Sequence, residues 1–97
     1  MSAKLSEAEL KEELPGIPGW EIIDGKLHRE FTFPDFRVAF AFMTASAFSA
    51  EKMGHHPNWS NVYNRVDVYL ITHDAGGVTE KDISLAAAMN AVAGVNP

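Results

Sequence analysis

The spacing of apolar residues changes several times along the chain, and each change marks an element. Ser6-Glu7-Ala8-Glu9 has the form of a capping box, with Glu three residues after Ser, and predicts a short helix to about Leu14. Pro15-Gly16 stops that helix, and Pro18 keeps the following residues extended. Trp20-Glu21-Ile22-Ile23 reads as a strand, and Asp24-Gly25 as a tight turn. The next run, Lys26 to Phe33, places Leu27, Arg29, Phe31 and Phe33 on one side, which completes a β-hairpin.

The pattern then becomes helical. Pro34-Asp35 opens a long helix with Asp35 as its cap. Phe36, Phe40, Met43 and Ala47 recur at helical spacing and predict a core stripe. Ala39, Phe42, Ala45 and Phe48 widen it, enough to bury a second face against a partner subunit. Gly54 is a natural C-terminal cap, so the helix should end near Met53. Between Asn58 and Thr72 the period falls to two. Val62 and Tyr63 suggest one strand, with Asn61 or Asn64 marking turns. Val66, Val68 and Leu70 alternate with Asp67, Tyr69 and Ile71 in the next. Asp74-Ala75-Gly76-Gly77 is a loop. Thr79 starts the last helix, with Asp82 three residues later in a weaker capping box; Leu85, Ala88, Met89 and Val92 form its apolar face and Gly94 ends it. The order helix, two strands, long helix, two strands, helix predicts an α+β fold. Residues 1–97 should form a single domain, a four-stranded antiparallel sheet with three helices packed on one face.

Composition narrows the function classes. Ninety-seven residues suffice for one modest core, and small domains gain stability by associating. The net charge of −5, with no basic run, argues against direct nucleic-acid binding. The absence of cysteine removes disulfides, thiolate metal sites and cysteine nucleophiles. No stretch approaches the ~20 apolar residues of a membrane span. Met1 to Ser6 lacks the apolar segment of a secretory signal, so a cytoplasmic protein is expected.

Candidate chemistry gathers around Glu51-Lys52-Met53-Gly54-His55-His56-Pro57, with His73 and Asp82 further on. Histidine can give or take a proton near neutral pH without special tuning. The pair follows a helix end, in the kind of loop that a rigid scaffold uses to present active-site groups. Pro57 restricts His56 to extended backbone. Each residue also has a plainer reading. Adjacent histidines in a polar loop can be solvated surface, His73 can be a satisfied strand end, and Asp82 in a helix's first turn can simply cap it. Zinc is disfavoured, because neighbouring residues diverge in direction and the HExxH and HxH patterns are absent. No GxSxG elbow or phosphate cradle is present. General acid–base chemistry, or ligand binding without chemistry, remains.

Taken together, the spacing Glu51, His55-His56-Pro57, Tyr63, His73 and Asp82 resembles the signature of the pterin-4a-carbinolamine dehydratases. Gly19-Trp20, Phe40-Ala41-Phe42-Met43-Thr44, Asn61-Val62-Tyr63-Asn64 and Thr72-His73 are similar to the family as well, so the resemblance covers essentially the whole chain. One departure is Gly54, where animal members often carry an acid.

The resemblance implies a four-stranded antiparallel sheet with three helices, and association through sheet edges and helices into dimers or tetramers. It implies a small pterin substrate, a 4a-hydroxytetrahydropterin, which is dehydrated with no cofactor and no metal in the recycling of tetrahydrobiopterin. The catalytic groups would be His55, His56 and His73: His55 and His73 for proton transfer, His56 mainly for binding and orientation. Glu51, Trp20, Thr72 and Asp82 would serve the substrate site, with core packing the alternative for Trp20 and helix capping the alternative for Asp82. The competing reading is a non-catalytic interaction protein with a protein partner. In animals a family member serves as dimerisation cofactor of a homeodomain transcription factor, and other family-like proteins assist Rubisco assembly.

Overall fold

A computed structural model describes residues 3–94 of the chain. Helix α1 (Glu7–Glu13) starts where the capping box requires: the Ser6 hydroxyl accepts from the Glu9 N–H at 3.1 Å and the Glu9 carboxylate accepts from the Ser6 N–H at 2.8 Å. A single 3₁₀ turn, Leu14–Gly16, follows at Pro15. Strands β1 (Glu21–Ile23) and β2 (Lys26–Thr32) form the expected hairpin. Its turn places Asp24 at φ 51° and Gly25 at φ 75°, the two left-handed positions of the hairpin turn that matches strand twist. Then come α2 (Phe36–Met53), β3 (Asn58–Val62), β4 (Arg65–Leu70), a 3₁₀ turn (His73–Ala75) and α3 (Glu80–Ala93).

The strands pair antiparallel in the order β1-β2-β4-β3. The order makes β2 and β4 the central strands, and their inward residues Leu27, Phe31, Val66, Val68 and Leu70 are buried. They pack with Ala39, Phe42 and Ala50 of α2 and Leu85, Ala86 and Met89 of α3 in one hydrophobic cluster. The alternation sends His28, Glu30, Asp67 and Tyr69 to the opposite, open face of the sheet.

The structure departs from the sequence expectation in the facing of α2. Its buried residues are Ala39, Phe42, Ser46 and Ala50, whereas Phe36 and Phe40 of the expected core stripe are 48% and 54% exposed, and Ala47 is exposed too. α2 is apolar nearly all round, so periodicity alone does not choose a face. The face turned inward is rich in small residues, which let the helix approach closely. A second difference lies in the β3–β4 turn. Tyr63, expected within a strand, sits in the turn at φ 51°, while Asn61 lies inside β3. The Asn61 amide donates to the carbonyls of Tyr63 (3.1 Å) and Arg65 (2.8 Å), so it braces the turn from the strand. In α3, Leu85 and Met89 are buried as expected, Ala88 is half-buried and Val92 is 38% exposed; Asp82 and Asn90 take buried places instead.

Candidate active site

The site forms where the end of α2 meets the start of α3. Gly54 adopts φ 65°, and its N–H donates back to the α2 carbonyls of Ala50 and Glu51. The His55 N–H also donates to the Ala50 carbonyl at 3.1 Å. This left-handed cap turns the chain sharply, a geometry glycine adopts without the Cβ penalty. The turn sets His55 toward α3 and leaves His56 on the outside. His56 Nε2 lies 3.0 Å from Glu51 Oε1, and both side chains are largely exposed.

The opposite wall comes from the β4–α3 connection. Thr72 and Gly77 pair as an isolated bridge, and His73 opens the 3₁₀ turn between them. Thr79 then caps α3 with the reciprocal hydrogen bonds of a capping box, Asp82 being its third residue. His55, His56 and His73 border one open cleft of about 350 Å³, together with Thr72, Asn58 and Lys81.

Asp82 lies behind this cleft. It is fully buried and has three polar contacts. Oδ1 is 2.5 Å from His55 Nε2; Oδ2 accepts from the Thr72 hydroxyl at 2.8 Å and from the Thr79 N–H at 2.9 Å. A buried carboxylate is costly unless hydrogen-bonded, and three charge-assisted bonds meet that need. The Thr72 and Thr79 hydroxyls are also 2.8 Å apart, which joins both walls of the carboxylate's pocket.

The tertiary structure therefore brings His55, His56, His73 and Thr72 to the cleft. Glu51 stands at its edge beside His56, and Asp82 stands beneath it, touching His55. Trp20 is placed elsewhere. It is 6% exposed, its indole N–H donates to Asn90 Oδ1 at 2.9 Å, and its ring meets Phe31 edge-on at 5.9 Å. Core packing, one of its two sequence readings, describes that place. Asn90 also receives Arg29 Nη1 at 3.2 Å and donates to the Pro18 carbonyl at 3.0 Å, which ties the segment before β1 to α3.

Sequence reasoning passed over Lys81 and Asn58, both on the cleft. For Lys81 a signal existed: a cation in the first turn opposes the helix dipole, so its presence there asks for a reason. Asn58 carried none. Among the described residues no group of three or more His, Cys, Asp or Glu side chains is placed to hold a metal ion. The arrangement offers imidazoles on two walls of a water-open cleft, one backed by a buried carboxylate, which suits moving protons to and from a bound molecule.

The model of the family described as Pterin 4 alpha carbinolamine dehydratase matches residues 3–92. A protein of Solibacter usitatus named "Putative pterin-4-alpha-carbinolamine dehydratase" is 55% identical over 93 residues, covering 96% of this chain and 98% of its own. A protein of the same name from Brucella ovis is 52% identical over 93 residues, covering 94% and 96%. Among solved structures, a transcriptional coactivator/pterin dehydratase from Brucella melitensis superposes with TM-score 0.89 at 51% identity, over 93% of this chain and 98% of that one. A pterin dehydratase-like protein described as a RuBisCO assembly factor in the alpha-carboxysome matches with TM-score 0.66 at 27% identity, over 79% and 89%.

Proposed function

The chain belongs to the pterin 4 alpha carbinolamine dehydratase family, and on that premise we propose that it removes water from a 4a-hydroxytetrahydropterin, leaving the quinonoid dihydropterin. The observation that supports this most is the meeting of His55, His56 and His73 on one cleft, from two separate walls. The substrate carries a hydroxyl on C4a beside N5–H. Hydroxide leaves poorly, so an acid must protonate it; a base must take the N5 proton as the C4a–N5 double bond forms. His55 and His73 share these two transfers. His56, outside and paired with Glu51, holds the ring system. Acid–base catalysis of this kind contributes ~10²–10⁴-fold. In tetrahydrobiopterin recycling the reaction would run in the cytoplasm; no helix among the described residues is long and apolar enough to cross a membrane.

The deciding experiment is turnover of a synthetic 4a-carbinolamine by the purified protein, followed by the absorbance of the quinonoid product. Acceleration over the uncatalysed dehydration is expected, and its persistence after dialysis against a strong chelator. A rate no greater than the buffer's would sink the enzymatic reading and leave a binding role as the stronger one.

The chain also self-associates in this reading, as a dimer or tetramer. Phe36, Phe40 and Phe48 are 48%, 54% and 73% exposed along α2, an apolar face that water leaves unsatisfied. Sedimentation at micromolar concentration should give at least a dimer; a monomer would contradict it.

A further inference from the structure

The buried Asp82 is a titratable group that no substrate could reach. Its side chain has no exposed surface, while that of His55 is 12% exposed. Two cleft-lining side chains, the His55 ring and the Thr72 hydroxyl, connect the carboxylate to the cleft.

The hydrogen bonds around Asp82 bear on which ring nitrogen of His55 carries a proton. Thr79 N–H can only donate, so Asp82 Oδ2 is an acceptor there, and the Thr72 hydroxyl donates to the same oxygen. With Asp82 as a carboxylate, Oδ1 has no hydrogen to give and pairs with His55 Nε2 as the acceptor. A neutral imidazole has one N–H and one lone pair. With the hydrogen on Nε2, the lone pair is on Nδ1. Among the described residues Ser46 Oγ is the only buried side-chain polar atom lacking a partner. Nδ1, which makes no hydrogen bond among the described residues, is therefore reached by solvent, and His55 meets solvent at the cleft.

We propose that Thr72 and Asp82 are positioning residues that hold His55 as the Nε2–H tautomer, making its Nδ1 the base that takes the N5 proton. The inference rests on the dehydratase reading and divides the roles that reading leaves shared. Nδ1 takes the proton from N5; the N5–H bonding electrons become the second bond between N5 and C4a. The C4a–O bond breaks with its electrons on oxygen, and a proton from His73 completes the water. His55 ends one proton richer and His73 one poorer, and exchange with solvent through the open cleft resets both. Asp82 stays a carboxylate throughout, stabilising the imidazolium through the Nε2 hydrogen bond. Thr72 keeps the carboxylate from rotating away.

The test compares Asp82→Asn, Thr72→Val and Thr72→Ser with the intact chain. In Asp82→Asn kcat should fall by ~10²-fold or more, since a wrong tautomer in an analogous histidine–carboxylate pair costs about 10⁴. KM should stay within ~2-fold, because the carboxylate does not touch substrate. The acid limb of the kcat pH profile should move as well. Thr72→Val should lower kcat by ~10–100-fold, the order expected for one lost hydrogen bond to a charged group, and Thr72→Ser should restore it. Nitrogen-15 shifts of the His55 ring should report Nε2–H in the intact chain and a mixed population in Asp82→Asn. Because Asp82 also caps α3, Ile17→Val, a remote core change, controls for lost stability and should leave kcat and its pH profile unmoved. If Asp82→Asn does not fold, Thr72→Val against Thr72→Ser carries the decision.

An Nδ1–H tautomer in the intact chain overturns the proposal. So does an unchanged rate and pH profile in Thr72→Val while His55→Ala is inactive. Full turnover in a folded His55→Ala, His73→Ala double variant strikes instead at the dehydratase mechanism beneath it.

Discussion

His55 and His28 each sit against an aspartate, yet they differ in what the other ring nitrogen meets. His55 Nε2 is 2.5 Å from Asp82, and His28 Nε2 is 2.7 Å from Asp67. The difference lies at the other nitrogen. His28 Nδ1 faces a second carboxylate, Glu21, at 3.3 Å, and the ring lies 4.5 Å from Tyr69, so its polar capacity is occupied. Among the described residues, one nitrogen of His55 has no partner. The aspartates differ as well: Asp82 is fully buried and anchored by two further donors, while Asp67 is 39% exposed. A histidine with both nitrogens engaged ties β1, β2 and β4 together; one with a single engaged nitrogen can pass a proton. Proximity of His to Asp does not separate the two cases. The unoccupied nitrogen does.

The largest expected break in this comparison is in turnover. His55→Ala should lower kcat by ~10²–10⁴-fold, whereas His28→Ala should leave it within ~2-fold. Steady-state kinetics on a 4a-carbinolamine, with circular dichroism to verify folding, reads both; equal losses would erase the distinction. Next comes His56→Ala, which leaves the buried pair intact and removes the outer ring. Its effect should fall on KM, by ~10-fold, with kcat nearly kept. A loss confined to kcat would move His56 into the proton-transfer pair.

The third test is stability against pH. Burial of the His28 ring draws its pKa down, but the hydrogen bonds to Asp67 and Glu21, with the attraction of both carboxylates, more than offset this and raise it above the ordinary value of about 6.5. The native state therefore binds the proton more tightly than the unfolded chain. His28's contribution should be fully present below about pH 6.5 and lost as pH rises through its folded pKa. His28→Ala should accordingly lower the Tm by a few degrees at pH 5.5 and by less at pH 8.5. A gap that widens with pH would contradict the assignment. The smallest effect concerns Ser46, a buried polar group in α2 whose hydroxyl has no partner among the described residues. Unlike Asp82 it supports nothing, so Ser46→Ala should raise stability by ~1 kcal/mol in urea denaturation and leave turnover unchanged.

Much of the fold was legible because its signals are local. The caps at Ser6, Asp35 and Thr79 and the stop at Gly54 are hydrogen bonds or backbone conformations set within three or four residues, and all occur where the sequence places them. The hairpin turn at Asp24-Gly25 and the alternation in β2 and β4 are of the same kind. The histidine cluster was legible as a motif, and the cleft does gather His55, His56 and His73.

What the tertiary structure decided depends on partners far along the chain. α2 carries apolar residues on every side, so its inward face had to be chosen by the sheet and α3, and the small residues Ala39, Ser46 and Ala50 went in while Phe36 and Phe40 stayed out. Trp20 could have met a ligand or the core; Asn90, seventy positions away, supplies the acceptor that holds its indole inside. Asp82 reads as a helix cap in any local window, and it is one. Only the meeting of α3 with the end of α2, across 27 positions of sequence, puts its other oxygen on His55. Capping is local because its hydrogen bonds span a single turn. A carboxylate's second partner is set by which elements pack together, a choice made by the burial of the whole core.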